Sequence, residues 1–159
     1  MADVQDVTVR TSDDPDEVID LLREVHEEHR HRLPDRFKPF DRTAALEPQR
    51  LLVSRAGAQM IVARVEGVCV GYALVCERVR KENAFRYASR SLVVDQMAVS
   101  NAHRRQGIGR LLMDRVRSEA ARRAVQRVEL NVYSDNDGAR RFYEGAGFGR
   151  FQDVLESSL

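Results

Sequence analysis

The sequence predicts an α/β protein in which a mixed, mostly antiparallel sheet carries helices on both faces. Three observations lead there. The apolar runs MIVARVE, VCVGYALVCERV and SLVVDQMAV follow one another between Met60 and Val99 with short connections. After Val99 the apolar spacing changes from the alternation of strands to that of a helix. The order strand, helix, strand from Leu92 to Tyr133 is that of a crossover unit joining two parallel strands.

The elements follow in chain order. VTVRT, Val7 to Thr11, alternates as a strand. Pro15 to His31 is a helix: Val18, Leu21, Leu22 and Val25 keep helical spacing, and Pro15 suits an early helical position. LPDRFKPF, Leu33 to Phe40, carries two prolines and two aromatic residues and reads as an ordered loop. Glu47 to Ser54 is a short second helix. Met60 to Glu66 and Val68 to Val79 are strands joined by a tight turn at Glu66 and Gly67. Lys81 to Tyr87 connects them to a third strand, Ser91 to Val99. Gly107 to Arg123 places Ile108, Leu111, Leu112, Val116 and Ala120 on one helix face. Val128 to Tyr133 is a strand, SDN caps a helix from Asp137 to Gly145, and GFGRFQDVL, Gly147 to Leu155, closes the chain as a strand.

The chain has 159 residues, 43% hydrophobic and 32% charged, with formal charge +1. That length predicts one domain spanning 1–159, able to bury a core without metal or disulfide support. The near balance of charge argues against a mainly electrostatic nucleic-acid binder. Lys38 and Lys81 are the lysines among 26 basic residues, a compositional bias towards arginine that identifies no partner. Cys69 and Cys76 share one apolar run, so on a strand they point to opposite faces roughly 23 Å apart and cannot pair. With no signal peptide and no apolar run of spanning length, a reducing cytoplasm without membrane association is the expectation.

The stretch RRQGIG, Arg104 to Gly109, joins a strand to a helix N-terminus. Amide N–H groups there lack intrahelical partners, and the helix dipole favours an anion. Gly107 and Gly109 let the backbone approach a ligand closely, as a phosphate cradle requires. It is not a P-loop, because Arg110 and Leu111 stand where lysine and Ser/Thr are needed. Nor is it a dinucleotide fingerprint, since position 112 is leucine. By itself the motif leaves a simple tight turn as the alternative.

Following Met97-Ala98-Val99, the run Arg104-Arg105-Gln106-Gly107-Ile108-Gly109 resembles the Arg/Gln-x-x-Gly-x-Gly/Ala signature of the GCN5-related N-acetyltransferase (GNAT) superfamily. ELNVYSDNDGARRFYEGAGF resembles that family's later motif at Asn136, Ala139, Tyr143, Gly147 and Phe148. The resemblance spans Leu92 to Phe148 with both blocks in order; before Ser91 it rests on element order and the Leu33 to Phe40 loop. It implies a GNAT-type acyl-CoA N-acyltransferase fold, with a splayed parallel strand pair holding acetyl-CoA as cosubstrate and no metal. The expected reaction is direct attack of a primary amine on the thioester through a tetrahedral intermediate.

The resemblance distributes the chemistry over particular residues. The turn Arg104, Arg105, Gln106, Gly107, Ile108, Gly109 and Arg110 binds the pyrophosphate, and Asn136, Ala139 and Tyr143 complete the cofactor side. Backbone N–H groups from Met97, Ala98 and Val99 face the oxyanion. Tyr143 stands at the position of the tyrosine that protonates or hydrogen-bonds the thiolate, with packing of its helix as the structural alternative. The attacking amine must be neutral, and a carboxylate acting through water would take its proton. Asp95 is the nearest candidate, on the face of Val93, Met97 and Val99 unless a β-bulge intervenes. Glu129 and Glu77 are its rivals.

Other residues carry plainer expectations. His26 and His29 share a helix face while His31 lies well around it, which speaks against a metal cluster and leaves them as surface or acceptor-pocket histidines. His103 lines the turn. Phe37, Phe40, Phe85 and Tyr87 form an acceptor pocket or pack as core. Arg110, Arg115, Arg117, Arg122, Arg123 and Arg127 form a solvated basic face or touch a CoA phosphate. The acceptor is a small-molecule amine or a protein or peptide amine, entering near Leu33 to Phe40 and Lys81 to Tyr87, and an exposed C-terminal strand permits a homodimer. A CoA-binding regulatory module with little catalysis is the alternative, and a nucleic-acid-binding module the weakest.

Overall fold

A computed structural model of the chain describes residues 7–157. Five strands form one sheet in the order β1-β2-β3-β4-β5: β1 is Val7–Ser12, β2 Ala58–Val65, β3 Val68–Arg80, β4 Ser89–Val99 and β5 Arg127–Leu130. The first four strands pair antiparallel in sequence order, and β5 runs parallel to β4. The predicted mixed α/β architecture is the observed one.

The helices divide between the two faces. A 3-10 turn, Pro15–Val18, precedes α1, Ile19–Arg32; α2 is Arg42–Val53. Val18, Leu21, Val25, Leu52 and Val53 pack with Met60, Val62, Tyr72, Leu74 and Ala98 on one face. α3, Ile108–Arg122, covers the other. Its Ile108, Leu112, Met113, Val116 and Ala120 pack on Ile61, Ala63, Val70, Ala73, Val75, Leu92 and Val94. A fully buried Leu such as Leu112 contributes about 1.5–3 kcal/mol of transfer free energy. Gly71 seats the start of α3: a Cβ there would lie 3.1 Å from the Ala98 carbonyl oxygen and 3.2 Å from Ile108 and Leu112 side-chain carbons. α4, Asp137–Gly145, lies on the α3 side, where Phe142 and Tyr143 join the same core.

Most boundaries lie within two residues of expectation, and three elements depart further. α2 starts at Arg42 rather than Glu47, because Asp41 caps it by accepting the Ala44 N–H at 3.0 Å. β5 ends at Leu130 instead of Tyr133, since its pairing with β4 stops at Val94 opposite Leu130. The closing strand Gly147 to Leu155 does not form. Gly147 turns the chain away from α4 in the left-handed region (φ 86), and Phe151, Val154 and Leu155 are left exposed. The edge expected to support a homodimer is therefore not there; Glu156 instead meets Arg36 of the α1–α2 loop at 2.5 Å.

Candidate active site

The site begins where β4 leaves its partners. The β3–β4 register slips between Leu74 and Val75: Leu74 faces Gln96 and Val75 faces Val94, so Asp95 is the unpaired residue of a β-bulge. The bulge resets the faces. Met97 and Val99 now join Leu92 and Val94 on the α3 side, while Ala98 packs on the α1 side. This corrects the expectation that Asp95 shares a face with Met97 and Val99; it is exposed at the bulge. On the α1 side Gln96 exchanges two amide hydrogen bonds with Gln49, at 3.0 and 3.1 Å. Gln49 is only 1% exposed, and the Tyr72 hydroxyl donates to the same Gln96 oxygen at 3.0 Å. The bulge is thus held from below by a buried polar network whose donors and acceptors match.

Beyond Val94 a gap opens between β4 and β5, because β4 continues to Val99 without a partner on that side. Ser100 donates its N–H to the Val70 carbonyl across β3 at 2.8 Å. Alternate residues of a strand point their amides to opposite edges, so Ala98 also faces β3, while Met97 and Val99 face the gap. Of the three expected donors, alternation thus assigns Met97 and Val99. The Val99 carbonyl faces the same way and accepts from Arg104 Nε at 3.1 Å.

The Arg104–Gly109 turn closes the mouth of this gap. Gly107 is the N-cap of α3 with φ 85, a conformation open to glycine at little cost. Arg105 also has positive φ, 64, which the sequence does not announce. Such alternation turns successive N–H groups towards a common side. Among the described residues the amides of Arg105 to Arg110 donate to no protein acceptor, the first helical bond being Leu111 N–H to the Gly107 carbonyl. His103 Nδ1 is buried nearby without a partner. Gly109 serves packing as well: a Cβ would lie 3.2 Å from the Phe142 ring. A backbone cradle with free donors fits a pyrophosphate.

Several predicted side chains are already engaged. Arg104 reaches Glu28 of α1 at 2.6 Å, and Gln106 donates to the Ala102 carbonyl at 3.2 Å. Asn136 is the N-cap of α4, its Oδ1 accepting the Ala139 N–H at 3.1 Å. Arg105 and Arg110 are exposed, Ile108 buried. Of the rival carboxylates, Glu77 pairs with Arg90 at 2.6 Å and Glu129 with Arg78 at 2.9 Å. Arg122 and Arg123 pair with Glu119, so the basic face of α3 is partly neutralised.

Tyr143 sits on the α3 side of the gap, with ring contacts to Phe142 at 5.1 Å and Phe148 at 5.7 Å. Its hydroxyl has no hydrogen-bond partner among the described residues, and burial pushes its pKa up to about 12. On the opposite side α1 lies over the gap. One flank of it, Arg23, Glu24, Glu27, Glu28, His31 and Arg32, faces Asn101 and the start of α4 across a cavity of about 790 Å³. The other flank carries His26 and His29 into a cluster with Phe37, Phe40 and Tyr133. Phe85 and Tyr87 do not join it: they stand 95% and 90% exposed on the β3–β4 hairpin. The sequence names Tyr133 only as the last residue of a predicted strand, and nothing in the local pattern assigns it to this cluster.

Comparison with known proteins gives the family and the fold. The chain is 40% identical over 62 residues to N-alpha-acetyltransferase 40 of Saccharomyces cerevisiae, a match covering 35% of this chain and only 22% of that protein. The tetramutant of a Bacillus halodurans protein superposes with a TM-score of 0.91 at 24% identity, over 96% of this chain and 99% of that one. An aminoglycoside N-acetyltransferase solved in complex with CoA gives 0.75 at 14% identity, over 96% and 94% of the two chains. The model of the acetyltransferase (GNAT) family matches residues 17–148, most of the chain and every element that borders the gap, and the protein therefore belongs to that family.

Proposed function

We propose that residues 1–159 act as one acetyltransferase domain that transfers acetyl from acetyl-CoA to a primary amine. The observation that carries this reading is the gap itself: it is edged by the Met97 and Val99 amides, closed at its mouth by free turn amides, and flanked by the unpartnered Tyr143 hydroxyl. Acetyl-CoA supplies the activated thioester. The chain supplies everything that surrounds it.

The amides of the Arg104–Arg110 turn hold the pyrophosphate, with the Asn136-capped start of α4 beside it. Met97 and Val99 donate to the thioester oxygen as negative charge grows there; fixed main-chain donors need no reorganisation at that moment. Tyr143 donates to the sulfur. With its pKa at about 12, complete transfer to a thiolate of ordinary pKa about 8.5 is uphill by roughly 5 kcal/mol, so a hydrogen bond to the developing charge is the larger part of its role. Asp95, exposed at the bulge beside the donor edge, draws the ammonium form of the acceptor towards it. Primary amines of small molecules and of peptides are the acceptor classes, as the similarity to an aminoglycoside and to an N-alpha acetyltransferase supports.

Calorimetric titration with acetyl-CoA, followed by a primary-amine panel read by release of the free thiol, tests the reading. Micromolar binding with turnover of an amine is the expected result. Binding without turnover across the panel would favour a CoA-binding regulatory module, and no binding would remove the acetyltransferase reading.

A further inference from the structure

The proposed reaction needs a group to receive the proton of the attacking amine, and the α1 side of the gap carries one that the sequence treated as a pocket residue. Leu21 and Val25 point from α1 into the cluster around Tyr72 and Ala98. His29, one turn further on, continues that face beyond the sheet. There it meets Phe37 at 5.3 Å and Tyr133 at 5.2 Å between ring centroids. Tyr133 lies three residues past Leu130, where β5 has parted from β4. His29 therefore spans from α1 to the far wall of the gap, opposite the flank of α1 that lines the cavity at its mouth.

The two histidines of this flank differ in what they are free to do. His26 is tied down, its Nε2 2.7 Å from the Lys38 carbonyl oxygen. The His29 ring has no hydrogen-bond partner among the described residues, its main-chain carbonyl accepting the Leu33 N–H at 2.8 Å, so both ring nitrogens are open to substrate or water. The charged groups that act on it are Arg32, Glu28 and His26 of α1 and Asp135 of the β5–α4 loop. Arg32 is paired with Asp135 at 3.6 Å and Glu28 with Arg104 at 2.6 Å. Phe37 and Tyr133 add aromatic surface, and Asp95 stands exposed at the bulge. Burial, then the Arg32 charge, hold the His29 pKa below the ordinary imidazole value, so the ring is neutral where a base is needed.

We propose, on the reading of the site given above, that His29 receives the proton of the acceptor amine. Asp95 attracts the ammonium, and a ring nitrogen of His29 takes one proton from it, which frees the nitrogen lone pair; that proton leaves to solvent beside Tyr133, which is 44% exposed. The neutral amine then attacks, and as the nitrogen–carbon bond forms and the carbon–sulfur bond breaks, His29 takes the second N–H proton while Tyr143 meets the departing thiolate.

An electrophilic cosubstrate analogue tests this without knowledge of the acceptor. Bromoacetyl-CoA places an alkylating carbon at the acyl position; a neutral ring nitrogen within reach forms a C–N bond and expels bromide. Peptide mapping by mass spectrometry should find the label on His29, suppressed by excess acetyl-CoA, absent in His29→Gln and retained in His26→Gln. The labelling rate should rise with pH to a plateau whose midpoint lies below the ordinary imidazole value of about 6.5. His29→Gln should keep the wild-type acetyl-CoA affinity, which shows that the fold and cradle survive. Label on Asp95, Cys69 or Cys76 in place of His29, or none while acetyl-CoA still binds, overturns the assignment. Failure of acetyl-CoA itself to bind would instead overturn the reading of the site on which the assignment rests.

Discussion

The Arg104–Gly109 turn and the Leu33–Phe40 loop border the same gap from opposite sides, and they are made of different material. The turn works through main chain: left-handed residues at Arg105 and Gly107, free amides, and a helix start seated by Gly71. The loop works through side chains, bringing Phe37 and Phe40 against His26, His29 and Tyr133. A main-chain site constrains only the residues that set backbone shape, so it repeats as a motif. A side-chain site is free to vary, and there acceptor choice can change without disturbing the cofactor.

The sharpest break between the two halves should come from Tyr143, the one side chain to which the cofactor side assigns chemistry. Tyr143→Phe keeps the ring contacts with Phe142 and Phe148 and removes only the hydroxyl. Acetyl-CoA affinity should stay within about twofold while kcat falls about a hundredfold, the usual scale for loss of a positioned proton donor. An unchanged kcat would leave Tyr143 as packing and make that side purely a binding surface.

Gly107→Val comes next, and it attacks backbone shape alone. A β-branched residue at φ 85 costs roughly 1–3 kcal/mol; the turn relaxes out of that shape, and restoring it on binding should lower acetyl-CoA affinity by about five- to 150-fold by titration. Gly109→Ala separates shape from packing, since its Cβ would lie 3.2 Å from the Phe142 ring. That crowding should destabilise the fold by about 1 kcal/mol, with Phe142→Leu in the same chain restoring most of it. Had Gly109 served only ligand approach, Phe142→Leu would restore nothing.

How much of each half could be read from sequence follows from the same difference. Period and motif spacing located α3, the turn and α4, because these depend on neighbours in sequence. The bulge at Asp95 was named only as a condition, since it depends on a register slip against Leu74 and Val75 of another strand. The ion pairs that remove Glu77 and Glu129 as free bases, and the contact of His29 with Tyr133, join distant segments and leave no local pattern. The final apolar residues misled in the other direction. Phe151 and Val154 carry strand propensity, yet among the described residues they pair with no strand, and with Leu155 they remain exposed.

A smaller effect concerns the far end of α3, where side chains hold the cofactor half to the sheet. Glu119, 1% exposed, accepts from Arg122 and Arg123, which hold its carboxyl down to about 2 from 4.5. Arg123 also donates to the Gly57 carbonyl at 2.6 Å and to Gln59 at 2.9 Å. The folded-state value is depressed, so this carboxylate stabilises the protein fully above about pH 4.5 and ceases to do so as pH falls towards 2. Glu119→Gln should lower the melting temperature at pH 7 by about 3–6 °C. It should also flatten the decline of melting temperature between those pH values, while acetyl-CoA affinity stays unchanged.

The smallest effect lies where the halves touch. Arg104 of the turn is paired with Glu28 of α1 at 2.6 Å, both side chains about 40% exposed, and its Nε is on the Val99 carbonyl. If Arg104 is to meet a phosphate it must first leave Glu28, so the acceptor-side helix competes with the cofactor for one guanidinium. An exposed pair of this kind is worth about 0.2–1 kcal/mol. Glu28→Gln should therefore tighten acetyl-CoA by at most about fivefold, and the gain should shrink as added salt screens the pair. Weaker binding would mean that Glu28 holds Arg104 in the orientation the phosphate uses, and the acceptor half would then be part of the cradle rather than its competitor. The sign of this change decides whether the two halves of the gap act independently or as one site.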